Sequence, residues 1–322
     1  MLIPVLLFLV GLVCLIKGGD WFVDGAVGIA HRFHMPELLI GATVVSIGTT
    51  LPEVMVSAQA ALEHNSGISY GNAIGSVICN TSLIAAITIA VRPSGVDKKT
   101  LRFPVAAFFL SAAIYAGIAY TTGRFQRIHG LMFLAMFVAY IIINVIQMKR
   151  SPAPEAAAEE STGTENPIWK DIVLLAIGAV LIAVGAKLLV DNGTLIAEAL
   201  GVPSSVIGLT MVALGTSLPE LVTAITALAK GHSALSLGNI IGANIFNLIL
   251  VSGTAITISP FAIPVEKTIR GMNASLVVDI PVMFSVMAIL TLPPLATGKL
   301  KRWQGILLLC IYVSFTAFQF IH

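Results

Sequence analysis

Charge is scarce in this chain. Asp, Glu, Lys and Arg make up 11% of the 322 residues and apolar residues 57%, whereas soluble domains carry roughly a quarter charged residues and about half apolar ones. That balance excludes a soluble globular protein, and a net charge of +2 requires no nucleic-acid partner. Cysteine is scarce too: Cys14, Cys79 and Cys310 all fall within apolar runs. Three is an odd number and the spacing fits no metal, so neither a disulfide framework nor a zinc site is implied and the thiols read as packing residues. The histidines fall in loops or at span ends. His31 and His34 are spaced i, i+3, but a regulatory metal there is a weaker reading than a loop. Phosphate-binding glycine loops, serine-nucleophile elbows and HExxH are missing, so neither an enzyme nor a cofactor is expected.

What the chain has instead is apolar length. A hydrocarbon core of roughly 30 Å needs about 17–25 apolar residues in helix, and such stretches fall near 2–30, 37–62, 69–91, 103–120, 128–147, 169–198, 204–229, 235–259, 279–296 and 303–321. The expected fold is therefore an all-α polytopic membrane protein with ten transmembrane helices. The first stretch starts at Leu2 with no basic region before it and is longer than a signal-peptide core, so it is expected to be retained. An even span count puts both termini on one side. Loops after odd-numbered spans hold twelve Lys and Arg, against four on the other face (Arg124, Arg127, Lys267, Arg270); the positive-inside rule then places both termini outside, in the cytoplasmic membrane of the cell.

One segment breaks the apolar pattern. Residues 151–167, SPAPEAAAEESTGTENP, carry four Glu and three Pro and read as a solvated cytoplasmic linker. The linker divides the chain into residues 1–150 and 168–322, each with five spans. The halves are related: 41–83 and 208–250 align without a gap at an offset of 167, with 18 of 43 positions identical. Asp24 with Asp191 and Pro36 with Pro203 extend the match at the same offset. Because five is odd, the second half must enter the membrane upside down, giving two inverted five-helix repeats, the plan of many secondary transporters. Duplicated halves can also enclose a passive channel, a reading that stays open on pattern alone.

The repeat concentrates polarity where the membrane is least tolerant. At 100° per residue, Ser46, Thr49, Thr50, Glu53 and Ser57 share one arc of about 100° on an otherwise apolar helix. Thr216, Ser217 and Glu220 repeat the stripe, with Ala213 and Ala224 in place of the flanking serines. Pro52 and Pro219 precede the two glutamates and cannot bond the carbonyls of Gly48 and Gly215, so backbone oxygens are released beside each carboxylate. In spans 3 and 8, Asn72, Ser76 and Asn80, and likewise Asn239, Ala243 and Asn247, step along at i, i+4, i+8. Two carboxylates with hydroxyl, amide and carbonyl oxygens are hard ligands suited to Na+ or Ca2+. A hydrogen-bonded structural Glu or a proton carrier is the alternative. It is weakened by the second, equivalent Glu, since each charge at the bilayer centre costs roughly 2.5–3.5 kcal/mol.

The segments GATVVSIGTTLPE (41–53) with GNAIGSVICN (71–80), and GLTMVALGTSLPE (208–220) with GNIIGANIFN (238–247), resemble the paired alpha repeats of the prokaryotic sodium/calcium exchanger family, within the cation/calcium antiporter superfamily. The resemblance implies that Glu53 and Glu220 bind both Ca2+ and Na+, with Thr49, Thr50, Ser76 and Asn80 from one half and Thr216, Ser217 and Asn247 from the other. The main-chain carbonyls of Ser46 and Ala213 would add ligands. Relatives often have Ser and Asp where this chain has Ala243 and Asn247, which removes a hydroxyl and a negative charge and speaks for potassium independence. The implied activity is alternating-access antiport, exporting Ca2+ in exchange for Na+, with these ions and the lipid bilayer as partners and no obligate protein partner. Proton/calcium exchange on the same scaffold and a gated cation channel are the rivals. Asp279 before Ile-Pro reads as a helix cap, and Lys17 with Asp20 and Lys187 with Asp191 read as local ion pairs.

Overall fold

The computed structural model describes residues 2–150, 167–200, 215–265 and 268–321. In chain order its helices are α1 (Leu2–Arg32), α2 (Glu37–Leu62), α3 (Ser66–Val91), α4 (Lys98–Thr122), α5 (Arg127–Met148), α6 (Ile168–Ala199), α7 (Leu218–Ala229), α8 (Ser233–Ile258), α9 (Ser275–Thr297) and α10 (Arg302–Ile321). Among the described residues, eight of them (α1–α6, α8 and α9) are long and apolar enough to cross a membrane. The expected seventh span, 204–229, is described only from Gly215 onward, and nearly all of the expected linker lies outside the described residues.

Local chemistry sets the helix ends. Asp97 caps α4 by accepting from the amides of Lys99 (3.1 Å) and Thr100 (3.2 Å). Partial burial works to raise its carboxyl, but these amide bonds prevail and hold it below the ordinary value. Gly123 and Gly298 end α4 and α9 in the left-handed region, at φ 62° and 73°, where a side chain would be strained. Between α8 and α9 the chain makes a small antiparallel ladder, Thr268–Ile269 with Met272–Asn273, turning through Arg270 and Gly271.

The helices sort by burial. The most apolar windows of α8 and α3 are 89% and 72% buried, whereas those of α1, α5 and α6 are 22% buried and present their outer faces to lipid. α3 and α8 therefore form the centre, with α2 and α7 against them. Close approach depends on glycine: a Cβ on Gly238 would strike the Leu38 carbonyl, one on Gly41 the Leu235 carbonyl, and one on Gly242 the Ser46 hydroxyl. α2 and α8 thus cross at backbone contact, which membrane helices need because lipid supplies no hydrophobic drive to associate. α1 and α6 use the same device antiparallel. Gly11 faces Gly185, Gly18 faces Gly178, and Gly25 faces Asp171 and Leu175, so any added Cβ would meet backbone. The seven-residue spacing on both sides makes these two helices one tightly packed unit.

Among the described residues, four π-helical turns interrupt the α pattern, at Gly41–Val45, Asn80–Ala85, Asn247–Val251 and Ser275–Asp279. The second and third begin at equivalent positions of the repeat. Such bulges misalign backbone groups and gather at functional sites, and here serines satisfy the loosened carbonyls: Ser46 donates to Gly41 (2.7 Å) and Ser252 to Asn247 (3.0 Å). The last π turn corrects an expectation. Asp279 sits in helical conformation at the end of that turn and makes no side-chain cap; it bonds Gln319 of α10 instead (3.3 Å). Lys187 and Asp191 do pair along α6 (3.0 Å). Asp20, however, pairs with Lys230 (3.4 Å) rather than with Lys17.

At one end of the bundle His232, just before α8, bonds Glu37 at the start of α2 (2.8 Å). That hydrogen bond raises the imidazole above its ordinary value, against the lowering effect of partial burial. A raised histidine contributes fully below its unfolded value of about 6.5, and the contribution fades as pH rises through the folded value. For a partly exposed pair the amount is about 0.5–1 kcal/mol. The melting temperature of the purified protein is expected to fall as pH rises above about 6.5, with a shallower slope in His232→Gln; equal slopes would contradict the assignment.

Candidate functional site

The polar stripe of α2 faces inward. Ser46, Thr50, Glu53 and Ser57 are fully buried and Thr49 nearly so. On α7, which starts at Leu218 with Pro219 in its first turn, Glu220 and Thr223 are buried, as is Ser217 just before the helix. Ser76 and Asn80 on α3, and Asn239, Asn244 and Asn247 on α8, are buried as well. Thr216 is half-buried in the turn before α7, and Ala213 lies outside the described residues.

Hydrogen bonds lock this set together across the two halves. Thr50 of α2 donates to Glu220 Oε1 of α7 (3.5 Å), a long bond that places the second carboxylate beside the first helix. Thr49 donates to Asn239 Oδ1 (3.2 Å), and Ser46 reaches the Asn239 carbonyl (2.9 Å). Asn72 of α3 donates to the Glu53 carbonyl (3.0 Å) and to Ser57 Oγ (2.8 Å). α2 is therefore held by an asparagine from each half. Thr50 lies about one turn before Glu53 on α2, so its bond to Glu220 brings a carboxylate from each half to the same face of that helix.

At the centre, partners run out. Both carboxylate oxygens of Glu53, Oε2 of Glu220, both amide atoms of Asn80 and of Asn247, and the Ser217 hydroxyl are buried without a hydrogen-bond partner. Buried polar atoms are bonded in the great majority of cases, and here the exceptions gather around two carboxylates. The donors are hard oxygens. Among the described residues no group of three or more His, Cys, Asp or Glu gathers as a metal site, and the residues that converge here are carboxylates, amides and hydroxyls, which suit hard cations better than transition metals. On the other side of the stripe, Phe22 of α1 packs against Gly48 of α2, leaving a gap of about 10 Å3 lined also by Thr49, Pro52, Ala179 and Pro219.

Two features escaped sequence reasoning. Asn244, one turn before Asn247, donates to Thr81 Oγ1 (2.7 Å) and to Met287 Sδ (3.2 Å), leaving its own carbonyl oxygen unpaired. Its repeat partner is Val77, so the duplication gave no signal; an amide in an apolar helix did. Asn239 was visible only as one step of a polar row, yet it carries the bonds between halves. Ser46 serves mainly through its hydroxyl, which is engaged with Gly41 and Asn239.

Comparison with known proteins adds an independent line. A family model described as sodium/calcium exchanger protein matches residues 3–146 and 170–321. The chain is 33% identical to the sodium/calcium exchanger MaX1 of Methanosarcina acetivorans, over 98% of each chain. It is 37% identical to an uncharacterized membrane protein of Methanocaldococcus jannaschii, over 95% of this chain and 94% of that one. Among solved structures, the sodium-calcium exchanger NCX_Mj soaked with 2.5 mM Na+ and 10 mM Sr2+ superposes with a TM-score of 0.84 at 34% identity, covering 98% of both chains.

A cation that neutralises the two glutamates stabilises the folded chain by mass action, about 2.7 kcal/mol at a hundred times the dissociation constant. Adding Ca2+ to the purified protein is expected to raise its melting temperature, and Glu53→Gln to remove most of that rise. A full calcium-dependent rise in the variant would take Glu53 out of the site.

Proposed function

The chain belongs to the sodium/calcium exchanger family, and we propose that it exchanges Na+ for Ca2+ across the cytoplasmic membrane by alternating access, exporting Ca2+ as Na+ enters. The observation that carries this reading is the meeting of Glu53 and Glu220, one from each half, with three of their four carboxylate oxygens buried and unpartnered. In the proposed architecture ten helices form two inverted five-helix repeats, residues 1–150 and 168–322, with 151–167 as a cytoplasmic linker and both termini outside. Glu53, Glu220, Thr49, Thr50, Ser76, Asn80, Thr216, Ser217, Asn247 and the carbonyls of Ser46 and Ala213 would be the ligands.

Coupling follows from charge. With the site empty, two carboxylates face low dielectric at close range, and moving or occluding them in that state is unfavourable. One Ca2+ neutralises them, and so do two Na+. Either cargo therefore permits the occluded passage, and neither can cross in company with an uncompensated site. Asn247 keeps the site's formal charge at two carboxylates, since an amide offers oxygen without a negative charge. Binding energy differs between the cargoes in ligand number: Ca2+ takes six to eight oxygens, which the two carboxylates and the surrounding amides and hydroxyls can provide.

The test is radioactive calcium uptake into proteoliposomes preloaded with Na+ and diluted into Na+-free buffer, with a pH gradient in parallel. Uptake is expected to need internal Na+, and Glu220→Gln to lose it by at least about a hundredfold, as for removal of a charged group worth 3 kcal/mol or more. Uptake driven by the pH gradient alone would replace sodium with protons as the coupling ion. Dissipative flux with no counter-ion would point to a channel.

A further inference from the structure

The repeat offset pairs residues that no motif connects. Adding 167 turns Asp20 into Lys187, Asp24 into Asp191 and Glu63 into Lys230. In this structure the Lys230 ammonium, at the end of α7, lies 2.7 Å from Asp24 and 3.4 Å from Asp20, and also bonds the Asp20 carbonyl (3.1 Å). It ties α1 to the end of α7. The equivalent contact at the other end of the bundle would join Glu63, at the end of α2, to Lys187 and Asp191 of α6. That contact is open here: Lys187 folds back on Asp191 (3.0 Å) with 78% of its side chain exposed, while Lys230 is 28% exposed, and Glu63 accepts from Gln59 of its own helix (2.6 Å).

We propose that these two triads are alternating latches, so that Lys230 holds α1 against α7 in the conformation seen here and Lys187 bridges Asp191 and Glu63 in the opposite one. The proposal rests on the alternating-access reading. When halves are related by inverted repeat, the second conformation is obtained by exchanging the conformations of the halves, so a contact crossing between helices in one state has a mate that crosses in the other. The composition fits. Each triad has one lysine and two carboxylates, and each places its members on the α1/α6 unit and at the end of α7 or α2. That unit is one tightly packed body because its glycines lock the two helices together.

The local electrostatics favour a partner for Glu63. It follows the last turn of α2, where the helix dipole opposes a negative charge, and a lysine arriving there relieves it. Lys230 follows the last turn of α7, where its own charge suits the dipole.

Paired cysteines test the geometry in a chain whose Cys14, Cys79 and Cys310 are replaced by alanine and whose exchange is first verified. Asp24→Cys with Lys230→Cys, and Glu63→Cys with Lys187→Cys, are each expected to form a disulfide under mild oxidation in a chain that exchanges, because exchange visits both conformations. Each disulfide is expected to stop exchange until it is reduced, and in a chain carrying all four cysteines the two are expected not to form together. Failure of the 63/187 pair to form in a chain that exchanges, or both disulfides in one molecule, would overturn the latches. A second test needs no cysteine. Lys187→Glu is expected to slow exchange about fivefold, the upper scale of an exposed ion pair, and Lys187→Glu with Glu63→Lys to recover to within about twofold of the parent; a double variant no better than the single would also overturn the proposal. These results are separable from the functional reading, because parent chains that fail sodium-dependent uptake refute the exchanger whatever the disulfides do.

Discussion

Two carboxylates buried in apolar helices are the constraint around which the molecule is arranged. A bilayer offers neither water nor counter-ions, so a glutamate at mid-membrane must be paired, protonated or bound to a cation. Glu53 and Glu220, brought to one face of α2 by Thr50, leave three of four oxygens unpartnered, and the amides of Asn80 and Asn247 are unpartnered too. Placing them there requires α3 and α8 at the centre, because only helices covered on nearly all sides can present asparagine inward without exposing it to lipid. It also requires α2 and α7 to bring the glutamates in from opposite halves. On the proposed reading the same constraint links structure to transport: a site that is costly when empty and tolerable when filled selects which states can move.

Backbone packing serves that arrangement. Gly41, Gly238 and Gly242 let α2 and α8 approach until side-chain hydroxyls of one reach the backbone of the other. The π turns at Asn80 and Asn247 begin at matching positions, so the same residue that presents an amide also starts a stretch whose backbone bonds are loosened. In water a loosened carbonyl would be solvated. Inside the membrane it must be satisfied locally, and the serines and threonines that back-bond to the preceding turn do this along α2, α3 and α8.

Much of this is legible in the sequence because membrane helices and internal repeats leave strong marks. Apolar length locates the helices to within about a turn, and the offset of 167 singles out Glu53 and Glu220 before any coordinates. What stays hidden has physical reasons. A π turn inserts one residue into a helix without changing composition, so Asp279 reads as a cap when it lies within a continuous span. The facing glycines of α1 and α6 become a pattern only when the two helices are known to run antiparallel and in register. Lys17 is nearer to Asp20 in sequence than Lys230 is, yet tertiary packing gives Asp20 to Lys230.

The departures from symmetry are as instructive as the repeat. At Ser46, Ser57 and Ser76 the second half has Ala213, Ala224 and Ala243, a consistent loss of hydroxyls. The effect is visible where both copies are described. Asn72 donates to Ser57, whereas the side-chain nitrogen of Asn239 has no partner, because Ala224 stands where a hydroxyl would accept it. Asn239 turns instead to Ser46 and Thr49 of the other half. α2 is consequently gripped from two sides by side chains, while α7 lacks the hydroxyl that would hold it in the same way. Among the described residues the two halves thus use equivalent asparagines differently: Asn72 bonds within its own half and Asn239 reaches across to the other.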